Sequence, residues 1–409
     1  MRIILNGWFW GQTATGSGQY LSHLLAHLPK VTPEHEYLLT LWRGHAPSEK
    51  LHGCRVLPLT TPFDQVSENL SKVWFEQVAF PRACQRLEAD LAHVPHWGSP
   101  LRPTVPTIVT IHDVIPLLLP PYRGTLLVRL YTRLVAAAAR RAAGVIAVSR
   151  ASQRDIIAHL RLPAERVWVT HEAAPASMRT ADPAQVDAVR RKYSLPERFL
   201  LYLGGFDVRK NVAGLLAAFA KVLGGIPSTA SVPCWSRDQQ PPGTGQRPGN
   251  RLEQGWRPAL VIAGRLPQRD SDFTPDPRRI ARELGIESCV HFTGWVDEAD
   301  KPPLYTAAVA LVFPSHYEGF GLPVLEALAC GAPVITSGVS SLPEIVGQAG
   351  LLVSPDDEAE LAAAMEQIWQ DASLREELRG EALAQAARFS WQQTAQATAE
   401  VYAAVHAKG

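Results

Sequence analysis

No stretch of about 20 apolar residues occurs in this chain, so nothing in it reads as a membrane-spanning helix. Cysteine is sparse. Five are present, Cys54, Cys84, Cys234, Cys289 and Cys330, an odd number without paired spacing. That excludes a zinc set of closely spaced pairs and favours a reducing compartment without a disulfide framework. The opening, MRIILNGWFW, has no small-residue cleavage site behind it and reads as a strand rather than a secretory signal. Neither sign of charge prevails, since the net charge is +1 over 409 residues, and no nucleic-acid partner is expected. These absences place the protein in the cytoplasm, with room for a peripheral contact at the inner face of the membrane.

What is present is apolar and divided. Hydrophobic residues make up 46% and charged residues 19%, which suits a packed chain and excludes a disordered one. At 409 residues the chain exceeds one ordinary core and fits two α/β domains. Residues 1–175 hold 18 Lys and Arg against 12 Asp and Glu, a net of +6; the remainder holds 22 against 27, a net of −5. A basic first half suits an anionic partner or surface, although chance placement of solvated side chains gives the same imbalance.

Short apolar runs alternate with helical periodicity in both halves, the pattern of parallel α/β sheets. In the first half, residues 2–6, 37–42, 107–111, 144–149 and 167–170 read as strands, and 66–91 and 123–143 as helices. The loop GWFWGQTATGSGQY follows the first strand and holds Gly16 and Gly18, but it lacks the G-x-G-x-x-G spacing. The run at 107–111 ends in His112 and Asp113, at the carboxyl end of a strand, where α/β sheets bind ligands. Helix 123–143 places Leu126, Leu127, Leu130 and Leu134 on one side and Arg129, Arg133 and Arg140 on another. Such a helix fits an anionic lipid surface, and equally fits packing on its sheet with solvated arginines. Ser149 is placed to cap the helix that follows it. A polar, proline-containing stretch at 171–184 marks the domain junction.

The second half repeats the plan. Residues 199–203, 259–263, 290–292 and 309–313 read as strands, and 361–369 and 373–387 as helices before a last helix closes the chain. Arg209 and Lys210 lie in the turn after the first of these strands, where cations at a helix start can hold a diphosphate. Residues 224–258, rich in Gly, Pro, Gln and Ser, read as a flexible insertion of unknown role. The acidic run at 270–272 reads as loop rather than as a metal site.

The chain is organised around VALVFPSHYEGFGLPVLEALACGAP, residues 309–333. It reads as a strand, a glycine-rich loop and a helix with Pro323 in its first turn. Gly319, Phe320, Gly321 and Leu322 form the loop-to-helix backbone that can cradle an anion. Glu318 and Glu326 flank it, so the ligand carries both phosphates and hydroxyls, as a nucleotide sugar does. An ordinary βα unit with a glycine turn shares this spacing.

EGFGLPVLEALACGAPVITS, followed by SSLPEIVGQAGLLVSPDD, resembles the donor-site motif of the family-4 retaining glycosyltransferases, in which two Glu are separated by seven residues. The resemblance implies the GT-B fold: two Rossmann-like α/β domains with parallel sheets facing across a cleft, and a C-terminal helix crossing back to the first domain. The domains would be 1–175 on the acceptor side, with 391–409 packing back, and 176–390 on the nucleotide-sugar side. HDVIPLLLP resembles the family's His-Asp motif, which makes His112 the residue nearest the reacting carbon. Lys210 matches the family lysine, Gly205 stands where its arginine usually is, and Arg209 stands beside Lys210 instead. Gly16 and Gly18 fall where the family's glycines face the ligand, and backbone near Trp295 and Val296 would meet the base.

The implied activity is metal-independent transfer of a hexose to a glycan, lipid-linked or small-molecule acceptor. His112, Glu318 and Lys210 would be catalytic, and Glu326 would read the ribose. The Arg-Lys-Asn form leans towards mannosyltransferases and GDP-mannose as the donor, with no separate cofactor. A sugar-nucleotide epimerase of the same fold and a non-catalytic sugar-nucleotide-binding protein stay open.

Overall fold

The computed structural model describes residues 1–12, 15–42, 52–224 and 258–408. Residues 225–257 of the expected insertion lie outside the described residues. The chain divides into two compact units, Met1–Ala173 with Phe389–Gly409, and Ala174–Arg388.

The first unit holds a seven-stranded sheet of β1 (Arg2–Asn6), β2 (Glu36–Trp42), β3 (Cys54–Leu59), β4 (Leu91–Val94), β5 (Thr107–Ile111), β6 (Gly144–Ala147) and β7 (Val167–Val169). All pairings are parallel, in the order β3-β2-β1-β4-β5-β6-β7. β4, β5 and β6 are wholly buried, covered on both faces, whereas the edge strand β3 is largely exposed. Side chains alternate across the pleat. Ile3, Leu5, Leu39 and Ile108 meet the helices Gly16–Val31 and Trp391–His406, whereas Ile4, Leu38, Val109 and Val145 meet Phe75, Phe80 and Ile156. The last helix of the chain thus completes the core of the first unit.

The second unit holds six strands, β8 (Leu200–Leu203), β9 (Leu260–Ala263), β10 (Val290–Gly294), β11 (Ala310–Phe313), β12 (Val334–Ser337) and β13 (Gly350–Val353). They are also all parallel, in the order β10-β9-β8-β11-β12-β13. β8, β9, β11 and β12 are wholly buried. The helix Leu322–Ala329 packs against the helix Ala372–Ala386, and Val212–Gly224 against Glu358–Gln370.

Several elements differ from expectation. The helix expected over 66–91 is continuous from 68 to 86 but irregular: a π-helical turn, Phe75–Ala79, lies between Glu68–Trp74 and Phe80–Arg86. Pro81 has no N–H to continue the regular ladder, and the wider turn accommodates it. The helix expected over 123–143 runs Leu126–Ala139, because Gly124 takes a left-handed φ of 62° and Thr125 caps the start. Its leucine side faces outward: Leu126 is 69% and Leu127 77% exposed, and Val135, Ala136, Ala138 and Ala139 pack inward. The helix Pro183–Tyr193 and strand β3 were not anticipated. Cys54, Cys84 and Cys330 are free and Cys289 is disulfide-bonded, a bond that chain spacing did not point to and that makes no disulfide framework. Pairing depends on Cα separation in space, which chain spacing does not reveal.

Candidate active site

In each sheet the strand order reverses once, between β1 and β4 and between β8 and β11. Open α/β sheets bind ligands outside the carboxyl ends of the strands at such a reversal. Gly16 and Gly18 follow β1, and Arg209, Lys210 and Glu318 lie on the loops after β8 and β11, whereas His112 follows β5, next to β4, and Val296 follows β10 at the sheet edge.

In the second unit, Arg209 and Lys210 lie on a short 3-10 turn, Val208–Lys210, after β8. Lys210 Nζ is 2.7 Å from Glu318 Oε1, and Arg209 Nη1 is 2.8 Å from Glu318 Oε2. Arg209 also donates to Tyr317 O at 2.6 Å, and its own carbonyl accepts from His316 N at 2.8 Å. The β8 and β11 loops are therefore stitched together by one carboxylate and two cations. Burial pushes the Glu318 carboxyl up, but Lys210 and Arg209 outweigh it and hold the group below the usual range. The Lys210 ammonium also rests 4.8 Å from the centre of the Phe313 ring.

The helix Leu322–Ala329 begins at Gly321, whose φ of 109° only glycine adopts freely and which carries no side-chain cap. The loop before it is fixed from behind. Glu318 N donates to Ser340 Oγ at 3.0 Å, and Ser341 Oγ lies 2.6 Å from Phe320 O. Glu326 is buried on this helix and accepts from the Tyr305 hydroxyl at 3.0 Å. Burial raises its carboxyl above the usual range, and Lys301 and Tyr305 only partly offset that. Val296 is 4% exposed, so only its backbone can meet a ligand, while Trp295 is 50% exposed with the Arg265 guanidinium 5.3 Å above its ring.

In the first unit, His112 follows β5. Its Nδ1 is 2.8 Å from Glu172 Oε1, and its Nε2 is 3.2 Å from Pro95 O. Both partners are acceptors, so the doubly protonated ring satisfies both contacts. Burial alone lowers the imidazole pKa, but Glu172 and Pro95 reverse this and the net shift is upward. The Tyr20 ring stands edge-on to His112 at 5.0 Å. Gly16 and Gly18 open the helix Gly16–Val31, capped by Thr15. A Cβ on Gly18 would lie 2.2 Å from Gln12 O, so close backbone packing explains that glycine, and Gly16 is open.

Two family models match the chain: "Glycosyltransferase Family 4" over residues 14–174 and "Glycosyl transferases group 1" over 249–371. The O-antigen chain mannosyltransferase B of Escherichia coli is 33% identical over 296 residues, covering 72% of this chain and 69% of that protein. The chain belongs to the family-4 glycosyltransferases. Among solved structures, sucrose-phosphate synthase from Thermosynechococcus elongatus matches with a TM-score of 0.74 at 21% identity, over 100% of both chains. HepE of Anabaena, in complex with UDP-glucose, matches with a TM-score of 0.70 at 20% identity, over 99% of this chain and 100% of that one. Both share the GT-B fold.

For this glycosyltransferase the structure brings Arg209, Lys210 and Glu318 together, carries Glu326 on the helix that starts at Gly321, and places His112 in the other unit. Glu172, Tyr305, Ser340 and Ser341 were missed. Glu172 sat in what read as a junction, and only its adjacency to the end of β7 could have drawn attention to it. Among the described residues no group of three or more His, Cys, Asp or Glu could hold a metal.

Proposed function

We propose that this enzyme is a retaining hexosyltransferase that moves mannose from GDP-mannose to a glycan, lipid-linked or small-molecule acceptor without a metal ion. The observation that carries the reading is the Lys210–Glu318–Arg209 cluster at the β8/β11 reversal. A nucleoside diphosphate outbids a single carboxylate for two cations. On its arrival Lys210 and Arg209 turn to the phosphates, and Glu318 is released to accept sugar hydroxyls. The two cations and the 319–322 backbone then stabilise charge on the departing diphosphate, worth roughly 3–4 kcal/mol per well-placed donor. They supply the neutralisation that a divalent cation would otherwise give. Glu326 accepts from the ribose hydroxyls, and backbone at Val296 meets the base. His112, whose pKa Glu172 raises, orients the sugar. The choice of mannose rests on similarity to the E. coli mannosyltransferase, and GDP as its carrier on the Arg-Lys-Asn run at 209–211.

The proposal includes a cytoplasmic enzyme touching an anionic membrane. Its support is the start of the helix Leu126–Ala139, where Leu126, Leu127, Val128 and Leu130 are exposed. Arg123, Arg129 and Arg133 line an adjoining groove of about 280 Å³. Exposed leucines beside arginines match the acyl and phosphate layers of a bilayer surface. Among the described residues no helix is long and apolar enough to cross a membrane.

A panel of sugar nucleotides read by thermal shift tests the donor, because a ligand of the folded state raises the melting temperature with affinity. GDP-mannose is expected to stabilise most. Release of GDP that depends on acceptor, with the donor's anomeric configuration kept in the product by NMR, completes the test. Release without acceptor dependence would point to an epimerase, and an inverted product would overturn retention.

A further inference from the structure

The first unit carries a second polar cluster, beside His112. The π-helical turn Phe75–Ala79 places Glu76, which is fully buried. Glu76 Oε1 is 3.0 Å from His96 Nε2, and Oε2 accepts from the Tyr131 hydroxyl at 2.8 Å. Lys72 Nζ stands off at 3.9 Å, between the Phe9 and Tyr131 rings at 5.0 and 5.1 Å from their centres. π turns within helices are frequent at functional sites. Gly98 is required here, since a Cβ would lie 2.4 Å from Glu76 Oε1 and 2.5 Å from His96 Nε2.

The location is telling. Phe9 is on the loop after β1 and His96 on the loop after β4, which together form the strand-order reversal of the first sheet. It is the counterpart of the β8/β11 reversal that carries the donor-site residues. Pro95, next to His96, holds His112.

Orphan polar atoms collect here. Asn6 Nδ2, His96 Nδ1, Trp97 Nε1 and Ser99 Oγ are buried without a hydrogen-bond partner among the described residues. Buried groups left unpaired cost about 1–3 kcal/mol each, so four on two adjoining strand ends need an explanation. Burial lowers the His96 pKa beyond what Glu76 restores, leaving a neutral ring. Its Nε2–H then donates to Glu76, and Nδ1 is a lone pair seeking a donor. Burial and Glu76 likewise keep the Tyr131 hydroxyl protonated. Asn6 and Trp97 offer N–H groups, and Ser99 offers either. Donors and an acceptor set side by side, with aromatic faces around them, match sugar hydroxyls.

We propose that Glu76, His96 and Trp97 form the subsite that binds hydroxyls of the acceptor sugar, with Glu76 orienting the imidazole so that Nδ1 accepts one of them. This rests on the glycosyltransferase reading above and names residues for its acceptor side. Phe9, half-buried and edge-on to His96 at 4.8 Å, is the wall that yields to admit the sugar ring.

Saturation-transfer NMR on the full-length protein with a panel of mannose-, glucose- and galactose-terminated disaccharides tests this without turnover. At least one disaccharide is expected to receive saturation from the wild type. His96→Gln and Trp97→Phe, each checked for an unchanged melting temperature, are expected to weaken that binding by about tenfold or more, the loss of one hydrogen bond. If no disaccharide binds, or if both folded variants bind as the wild type does, the proposal is overturned. Binding of GDP, followed in parallel by thermal shift, separates the two readings. Loss of GDP stabilisation in the wild type sinks the donor assignment, whereas the disaccharide result alone decides the acceptor subsite.

Discussion

At the scale of single residues, the two half-sites are built on opposite charge logic. In the second unit one carboxylate serves two cations, and Glu318 stays ionised although buried. In the first, a buried carboxylate serves one imidazole, and Glu172 raises the His112 pKa against the pull of burial. The sign for His112 follows from its raised pKa. Its contribution is present at acid pH, below the unfolded value near 6.5, and is lost as pH rises through the folded value. Glu172→Gln removes the raising partner, so the imidazolium should deprotonate at lower pH. The expected outcome is a basic limb of the kcat profile moved to acid, with a loss of roughly tenfold at pH 8 and a smaller one at pH 6. A loss equal at both pH values would sink the assignment. Of this arrangement the place of His112 at the end of a β-branched run was legible, and the family resemblance singled it out together with Lys210 and both glutamates. Glu172 was not, because 60 residues separate it from its partner and the stretch around it has no periodicity.

At the scale of elements, amphipathic periodicity was legible but its direction was not. The leucines of Leu126–Ala139 recur at helical spacing, and spacing alone cannot say whether an apolar face meets a sheet or a bilayer. Small side chains decide it: Val135, Ala136, Ala138 and Ala139 approach the sheet closely and leave the leucines outside. The helix Pro183–Tyr193 was readable in principle, since Asp182, Pro183 and Gln185 make a capping box with proline at the first position. It was lost because its apolar residues are few and Val189 is the one that is buried. The π turn had no comparable signal. For the exposed leucines, the double substitution Leu126→Gln with Leu127→Gln should change stability by less than about 0.5 kcal/mol, as surface changes do. It should also abolish cosedimentation with phosphatidylglycerol vesicles, while wild type is pulled down at low salt. Unimpaired sedimentation of the variant would remove this helix from the membrane reading.

At the scale of the whole molecule, two parallel sheets followed from alternating strand and helix patterns, the family resemblance added the return of the last helix, and the strand order came from the structure alone. Pattern could not show what that return accomplishes. Trp391, Ala395, Val401, Tyr402 and Val405 are buried in the core of the first unit, and Trp391 stands edge-on to Tyr20, which in turn meets His112. Deeper in, His93 Nδ1 is 2.7 Å from the Tyr402 hydroxyl and Nε2 is 2.8 Å from the Thr110 hydroxyl, which lies 3.3 Å from that of Tyr20. One polar chain therefore ties the end of the sequence to β4, β5 and the first helix. Burial pushes the His93 pKa down to about 3, so the ring is neutral when folded. The unfolded chain takes up a proton near pH 6.5 that the folded chain refuses, so stability falls as pH drops from there towards the folded value. Tyr402→Phe leaves one buried His93 nitrogen without a partner and should cost about 1–3 kcal/mol at neutral pH. In a unit of this size that lowers its melting temperature by about 2–4 °C per kcal/mol. If the Tyr402→Phe protein melts as the wild type does at pH 7, the closing helix is held by apolar contact alone and the polar chain contributes nothing.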